Sequence, residues 1–303
     1  MNGFVPNVAT PVVLAGLALV LAGPAPAWLA RAHWPRRVPR AALVLWQALA
    51  LAALLAALGA GLSVATLAVL EERPNAGVLV LYGAALAVTL TVLARLLWSA
   101  HTLGYSLRAR RRRHRELIDI LGRIDGRAPG AHVLDASPAF AYCVPGVHTR
   151  LVVSSSALET LTDDEIRAVL EHERAHARAR HDLVLEGFAA LRNAFPRLVR
   201  SRAAFDSVAA LVELLADDAA RRRAGALPLG RALTRLAGTP VPAEALGAGG
   251  VSALARIQRL AEPPAPSYRV LATATYVAAT ALVVVPTLTV AAPWLSQLSA
   301  YLP

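Results

Sequence analysis

Four apolar runs divide the chain: Val8 to Ala30, Ala41 to Leu70, Ala76 to Ala100 and Tyr268 to Leu295. Each exceeds the roughly 20 residues that cross a hydrocarbon core of about 30 Å, so each predicts a membrane helix. Pro24, Pro26 and Trp28 close the first run, and Gly59 and Gly61 lie inside the second. Arg95 and Trp98 near the end of the third suit a snorkelling guanidinium and an interfacial indole. Pro286 predicts a kink in the fourth. Met1 to Thr10 carries no positive side chain, which argues against reading the first run as a signal peptide. The expected division is residues 1–106 with three membrane helices, 107–267 as a polar domain, and 268–303 as a fourth helix with a short tail.

Within the polar portion the period changes. His132 to Asp135, Ala139 to Val144 and Leu151 to Ser154 read as short strands, punctuated by Pro138 and Pro145-Gly146. Thr162-Asp163-Asp164-Glu165 is a capping box, with acids in the positive first turn of a helix. Ile166, Val169 and Leu170 continue it as an apolar stripe. Gly187 to Arg200 mixes apolar and Arg positions and reads either as a membrane-surface helix or as a domain helix broken at Pro196. Phe205 to Arg223 reads as a helix, Gly238 to Gly250 as a loop, Ser252 to Leu260 as a short amphipathic helix with Arg256 and Arg259. Pro263-Pro264-Ala265-Pro266 reads as a stiff spacer.

The capped helix carries His172-Glu173-Arg174-Ala175-His176. Residues four apart on a helix differ by only about 40° in direction, so both imidazoles can reach one zinc ion. Glu173, beside the first His, is placed to take a proton from water activated by that ion. The alternative is a charged helical surface, since Arg174, Arg178 and Arg180 crowd the same segment. The mid-helix position favours the metal.

Composition and charge narrow the class. The chain has 303 residues, mean hydropathy +0.49 and 56% hydrophobic residues, more apolar than a soluble protein of ordinary composition. Its 31 basic residues are all arginine, and its net charge is +11. They cluster beside the apolar runs, at Arg31, Arg36, Arg37 and Arg40 and from Arg108 to Arg115, which points to anionic headgroups and away from direct nucleic-acid binding. The Glu71-Glu72-Arg73-Pro74-Asn75 turn is slightly acidic. The positive-inside rule then places the N-terminus outside, the polar domain in the cytoplasm, and the C-terminus outside, in the cell membrane. One cysteine, Cys143, excludes an internal disulfide and a Cys-based metal cluster, and reads as a packed residue. There are no repeats of 20–50 residues.

A catalytic zinc site takes three protein ligands and an open position. Glu213-Leu214-Leu215-Ala216-Asp217 puts two carboxylates at i and i+4 on one helix face. Glu213 is expected as the third ligand, and Asp217 as the acceptor of the second N–H of a ligand His. Asp218 and Glu186 are competing third ligands, and Asp182 is a candidate brace for the end of the His helix. A solvated helix edge is the alternative for Glu213 and Asp217. The Ala139 to Tyr142 strand is either an edge that pairs with extended substrate or an internal strand.

Ala139 to Gly146, Val152-Val153-Ser154, Leu161 to His176, and Glu213 with Asp217 together resemble the integral-membrane metallopeptidases of the BlaR/MecR antirepressor type. The resemblance spans nearly the whole chain. It implies an α-helical integral membrane protein with four transmembrane helices and an α+β zincin-like, gluzincin-like cytoplasmic metallopeptidase domain. It further implies Zn2+ held by His172, His176 and Glu213, and Glu173 as base. Regulation by self-cleavage, and action on a winged-helix repressor of the BlaI/MecI type, are implied as well. Two departures stand out. The chain ends where the best-known members continue into a penicillin-binding sensor, and Ala216 stands where Cys often precedes the Asp. The zinc-domain pattern is also similar to HtpX- and Ste-type membrane proteases, whose membrane helices are placed differently. A membrane signalling scaffold with a degenerate site is the non-enzymatic alternative.

Overall fold

The computed structural model describes residues 9–70, 75–146, 148–196, 201–237, 253–262, 268–292 and 295–296. The turn residues Glu71 to Pro74, the loop Gly238 to Gly250, the spacer Pro263 to Pro266 and the end of the Gly187 to Arg200 stretch lie outside them.

Helices α1 (Ala9–Ala22) and α2 (Pro24–Arg31) form the first apolar stretch, stepped at Gly23. A 3-10 turn, Trp34–Arg37, leads into α3 (Pro39–Leu70). Helix α4 (Ala76–Leu121) starts at Asn75, whose side chain accepts from the Val78 N–H at 2.9 Å. It does not stop with its apolar part at Ala100. It continues through the arginine run for a total of 46 residues, because Arg, Leu and Glu are good helix formers.

Four strands follow: β1 (Arg123–Ile124), β2 (Ala131–Leu134), β3 (Ala141–Val144) and β4 (Arg150–Ser154). They form one sheet in the order β1-β2-β4-β3, with β2 and β4 parallel and the other pairs antiparallel. Then come α5 (Ser155–Thr160), α6 (Asp163–Arg178), α7 (His181–Ala194), α8 (Ser201–Ala224), α9 (Ala226–Leu236) and α10 (Ala253–Ala261). Helix α11 (Arg269–Pro286) passes at Pro286 into a π-helical turn, Thr287–Ala291, where the missing proline N–H disturbs the ladder.

Among the described residues, four helical stretches are long and apolar enough to cross a membrane: Ala9–Arg31, Pro39–Leu67, Ala76–Leu121 and Arg269–Ala291. Their outward side chains, such as Val12, Leu19, Val80 and Val277, are exposed and apolar, as a lipid-facing surface requires. Helices α3 and α4 approach closely where a Cβ on Gly61 would collide with the Thr89 side chain.

The membrane helices and the polar domain share a core. Leu21, Leu29, Trp46 and Leu49 pack in one cluster with Phe188 of α7, Val208, Leu211 and Val212 of α8, and Ala279 of α11. Arg95 does not reach outward: its Nε and Nη2 donate to the Ala194 carbonyl at 3.0 and 2.9 Å, satisfying the last turn of α7. Ser99 Oγ donates to the Ala190 carbonyl at 2.8 Å. Helix α7 is therefore a domain helix docked on α4, ending at Phe195 ahead of Pro196. A second cluster packs Ile166, Val169 and Leu170 of α6 against Val133, Cys143, Leu151 and Val153 of the sheet. Helix α8 thus runs from the shared membrane core to the polar domain.

Candidate metal centre

Helix α6 begins where Thr162 ends the loop. The Glu165 carboxylate accepts from the Thr162 backbone N–H at 2.9 Å, and Arg235 of α9 lies 3.1 Å from the same carboxylate. With Ile166, Val169 and Leu170 committed to the sheet, the helical period turns His172 and His176 toward α8. The i,i+4 pair Glu213 and Asp217 on α8 meets them there.

The four side chains are buried. His172 Nε2 and His176 Nε2 lie 3.1 Å apart. Glu213 Oε2 is 3.5 Å from His172 Nε2, and Glu213 Oε1 is 3.5 Å from His176 Nε2. The three donor groups lie within 4.8 Å of one another. On the far side of the ring, Asp217 Oδ1 is 3.0 Å from His172 Nδ1.

The donor chemistry fits a zinc ion. Two imidazoles and one carboxylate make a set that catalytic zinc takes. The carboxylate-to-imidazole distances of 3.5 Å exceed ordinary hydrogen-bond lengths, while both Nε2 atoms and the Glu213 carboxylate face one small buried space. His172, His176 and Glu213 are the residues that would hold the ion.

Two residues not foreseen as part of the site complete it. Arg256 of α10 donates to Asp217 through Nε at 2.8 Å and Nη2 at 2.6 Å, and its Nη1 is 3.0 Å from Glu213 Oε2. His181 Nδ1 lies 3.1 Å from His176 Nδ1. It reaches back because Arg180, with φ 50 and ψ 43, reverses the chain in the left-handed region right after α6. Neither residue carries a recognisable spacing to the His-Glu-x-x-His motif. The amphipathic period of residues 252–260 is the one sequence signal that brings Arg256 near α8.

The electrostatics follow from this crowding. Burial opposes charge on His172, but Asp217 and Glu213 outweigh it and raise its pKa to about 10. Burial and the neighbouring His172 push His176 down to about 3, and burial pushes His181 down to about 4, so both rings are neutral at pH 7. Burial works against the Glu213 carboxylate too, yet His172, His176 and Arg256 hold it at about 2. Glu173 lies on the sheet side of α6, where its carboxylate and the Cys143 thiol of β3 influence each other electrostatically. Burial raises Glu173 to about 7.

The remaining acids lie elsewhere. Asp218 forms a two-point pair with Arg259 at 2.6 and 3.0 Å. Glu186 Oε1 is 2.5 Å from Arg111 Nη1, and Asp182 Oδ2 is 3.6 Å from the same nitrogen. Both acids therefore tie α7 to α4, and Asp182 also sits 3.4 Å from Arg180 Nε at the end of the His helix. Glu171 gathers Arg174, Arg178 and Arg223 at 2.9, 3.2 and 2.9 Å. Those arginines therefore screen the outer face of α6, while its inner face carries the donors.

Residues 108–233 match the family model described as Peptidase family M48. The match covers the sheet, α6 with both histidines, and α8 with Glu213 and Asp217, and it ends before Arg256. No curated protein and no solved structure matches the chain. The match, the three-residue donor group and the four apolar helices together indicate a membrane-associated metallopeptidase.

Proposed function

We propose that the chain is a membrane-embedded zinc-dependent endopeptidase, with His172, His176 and Glu213 holding the metal and Glu173 serving as general base. The observation that carries this reading is the convergence of three buried donors from α6 and α8 beside a carboxylate of pKa about 7. When bound, zinc supplies Lewis acidity, acidifying water and polarising a carbonyl. Glu173 accepts the proton and delivers it to the leaving amine, work suited to a carboxyl tuned near the operating pH. Asp217, 3.0 Å from His172 Nδ1, is placed to accept its N–H and so fix the tautomer that turns Nε2 to the metal, while Arg256 holds Asp217 in place.

Strand β3 is the substrate-binding element in this reading. It occupies the sheet edge next to Glu173. Ser154 N–H donates to the Phe140 carbonyl, and the antiparallel alternation then directs the main-chain groups of Ala141 and Cys143 away from β4. An extended peptide adding there would be held by its backbone.

The activity proposed for this site is regulatory: cleavage of a cytoplasmic winged-helix repressor of the BlaI/MecI type, or of the chain itself. The arginine distribution supports a cytoplasmic site. Quality control or processing of membrane proteins, as in HtpX- and Ste-type proteases, is the second reading. It is favoured by the edge strand, because backbone pairing is tolerant of sequence, and by the continuity of α8 with the membrane core through Val212. The test is Glu173→Ala in the full detergent-solubilised chain, assayed on a peptide library. Zinc content is expected to stay the same and cleavage to fall by about 10²–10⁴. Undiminished cleavage would refute the assignment. Cuts confined to one repressor-like sequence favour regulation, and cuts spread over many favour quality control.

A further inference from the structure

A cavity of about 2010 Å³ separates the foot of the membrane helices from the polar domain. Its walls come from the Trp34–Arg37 turn, the starts of α3 and α11, and helices α6, α7, α8 and α10. None of His172, His176, Glu173 or Glu213 lines it. Of the residues at the metal centre His181 reaches it, so the cavity adjoins the donor site without containing the donors, and it is larger than the roughly 300–1,000 Å³ of ordinary small-molecule pockets.

Nine arginines line the cavity against two carboxylates, Asp218 and Glu262. Asp218 is engaged by Arg259. Among the described residues, Arg36, Arg40, Arg222 and Arg269 lie within ion-pair distance of no carboxylate. These four are solvent-exposed, and together they make a positive field that draws anions to the cavity. Part of the remaining lining is apolar. Leu43, Val44, Ala272 and Tyr276 form an apolar wall on the starts of the membrane stretches α3 and α11. Arg40 precedes that wall on α3, and Arg269 precedes it on α11.

Guanidiniums at the membrane boundary, with an apolar wall running up the adjoining helices, match an amphiphile with an anionic head. Free phosphate would leave the apolar wall without a partner, and an acidic peptide would meet apolar surface on its membrane side. We propose that this cavity binds an anionic phospholipid from the leaflet facing the polar domain. Its phosphate lies among Arg36, Arg40, Arg222 and Arg269, and its acyl chains lie along Val44, Ala272 and Tyr276. The lipid joins the membrane helices to α8, the helix that carries Glu213.

The full chain in a neutral detergent tests this by native mass spectrometry and thermal unfolding. The probes are phosphatidylglycerol, phosphatidylcholine, inorganic phosphate and polyglutamate. Phosphatidylglycerol is expected to be retained at least about tenfold better than phosphatidylcholine and to raise the unfolding temperature, while phosphate and polyglutamate do not. The triple variant Arg36→Gln, Arg40→Gln, Arg269→Gln should lose that preference. The variant Arg110→Gln, Arg112→Gln, Arg113→Gln, altered on exposed positions of α4 outside the cavity, should keep it. Val44→Trp with Ala272→Trp fills the apolar wall, leaves the charges intact, and should also lose retention. Equal retention of both lipids overturns the proposal, as does equal loss in both arginine variants. A shift reproduced by phosphate or polyglutamate overturns it too.

Discussion

Arg256 Nη1 stands 3.0 Å from Glu213 Oε2, the same carboxylate oxygen that faces His172 Nε2 at 3.5 Å. One guanidinium thus balances Glu213 and Asp217 at once, from a helix that starts 29 residues after α8 ends. A metal ion and Arg256 both supply positive charge to Glu213. Arg256→Gln is therefore expected to destabilise the metal-free protein by roughly 3 kcal/mol, the cost of leaving a buried carboxylate short of its partner. The zinc-loaded protein should lose less. Unfolding temperatures with chelator and with zinc check this, and an equal drop in both states would contradict it.

Asp217→Ala removes the acceptor at His172 Nδ1 and the partner of Arg256 in one step. Zinc affinity, measured by chelator competition, should fall by about 10–100-fold. An unchanged affinity would mean that the 3.0 Å contact does not orient the ligand ring.

Thr162 sets where α6 starts, and α6 carries both histidines. Thr162→Ala should cost about 1 kcal/mol of stability and lower the unfolding temperature by a few degrees. Zinc stoichiometry should be unaffected, since the cap lies more than two turns from His172. Loss of zinc without loss of stability would contradict this division.

The helical period alone makes the pair His172 and His176 legible in the sequence, and the capping box at Thr162 fixes their helix. The same rule makes Glu213 and Asp217 legible as a pair. It does not rank Asp218 against Glu213: Asp218 is one residue past Asp217, which turns its carboxylate about 100° off the Glu213 and Asp217 face toward Arg259, and which face looks inward depends on what α8 packs against. Arg256 and His181 are illegible for a related reason: their places depend on tertiary contacts and on the left-handed turn at Arg180. Helix α9 escapes notice because Pro228 and Gly230 interrupt its apolar stripe, although Leu229 and Ala232 are buried. The continuation of α4 to Leu121 escapes notice because loss of hydropathy marks the end of the apolar surface and not the end of the helix. Strand β1 is only two residues long and leaves no period to read.

Cys143 is buried behind α6, and burial together with the Glu173 carboxylate raises its thiol pKa far above the ordinary range. The thiolate, which is the reactive form, is therefore scarce in the folded protein at pH 8. Iodoacetamide should leave Cys143 unmodified in the native chain and label it fully after denaturation. Rapid labelling of the native chain would show that α6 does not cover Cys143.

Helices α6 and α8 bring two imidazoles and one carboxylate to where a single ion would bind them. X-ray absorption at the zinc edge of the full chain reads those ligands directly. The expected spectrum shows only nitrogen and oxygen neighbours, at about 2.0–2.2 Å, with outer-shell scattering from two imidazoles. A sulfur neighbour, or scattering from one or three imidazoles, would contradict the site built from His172, His176 and Glu213.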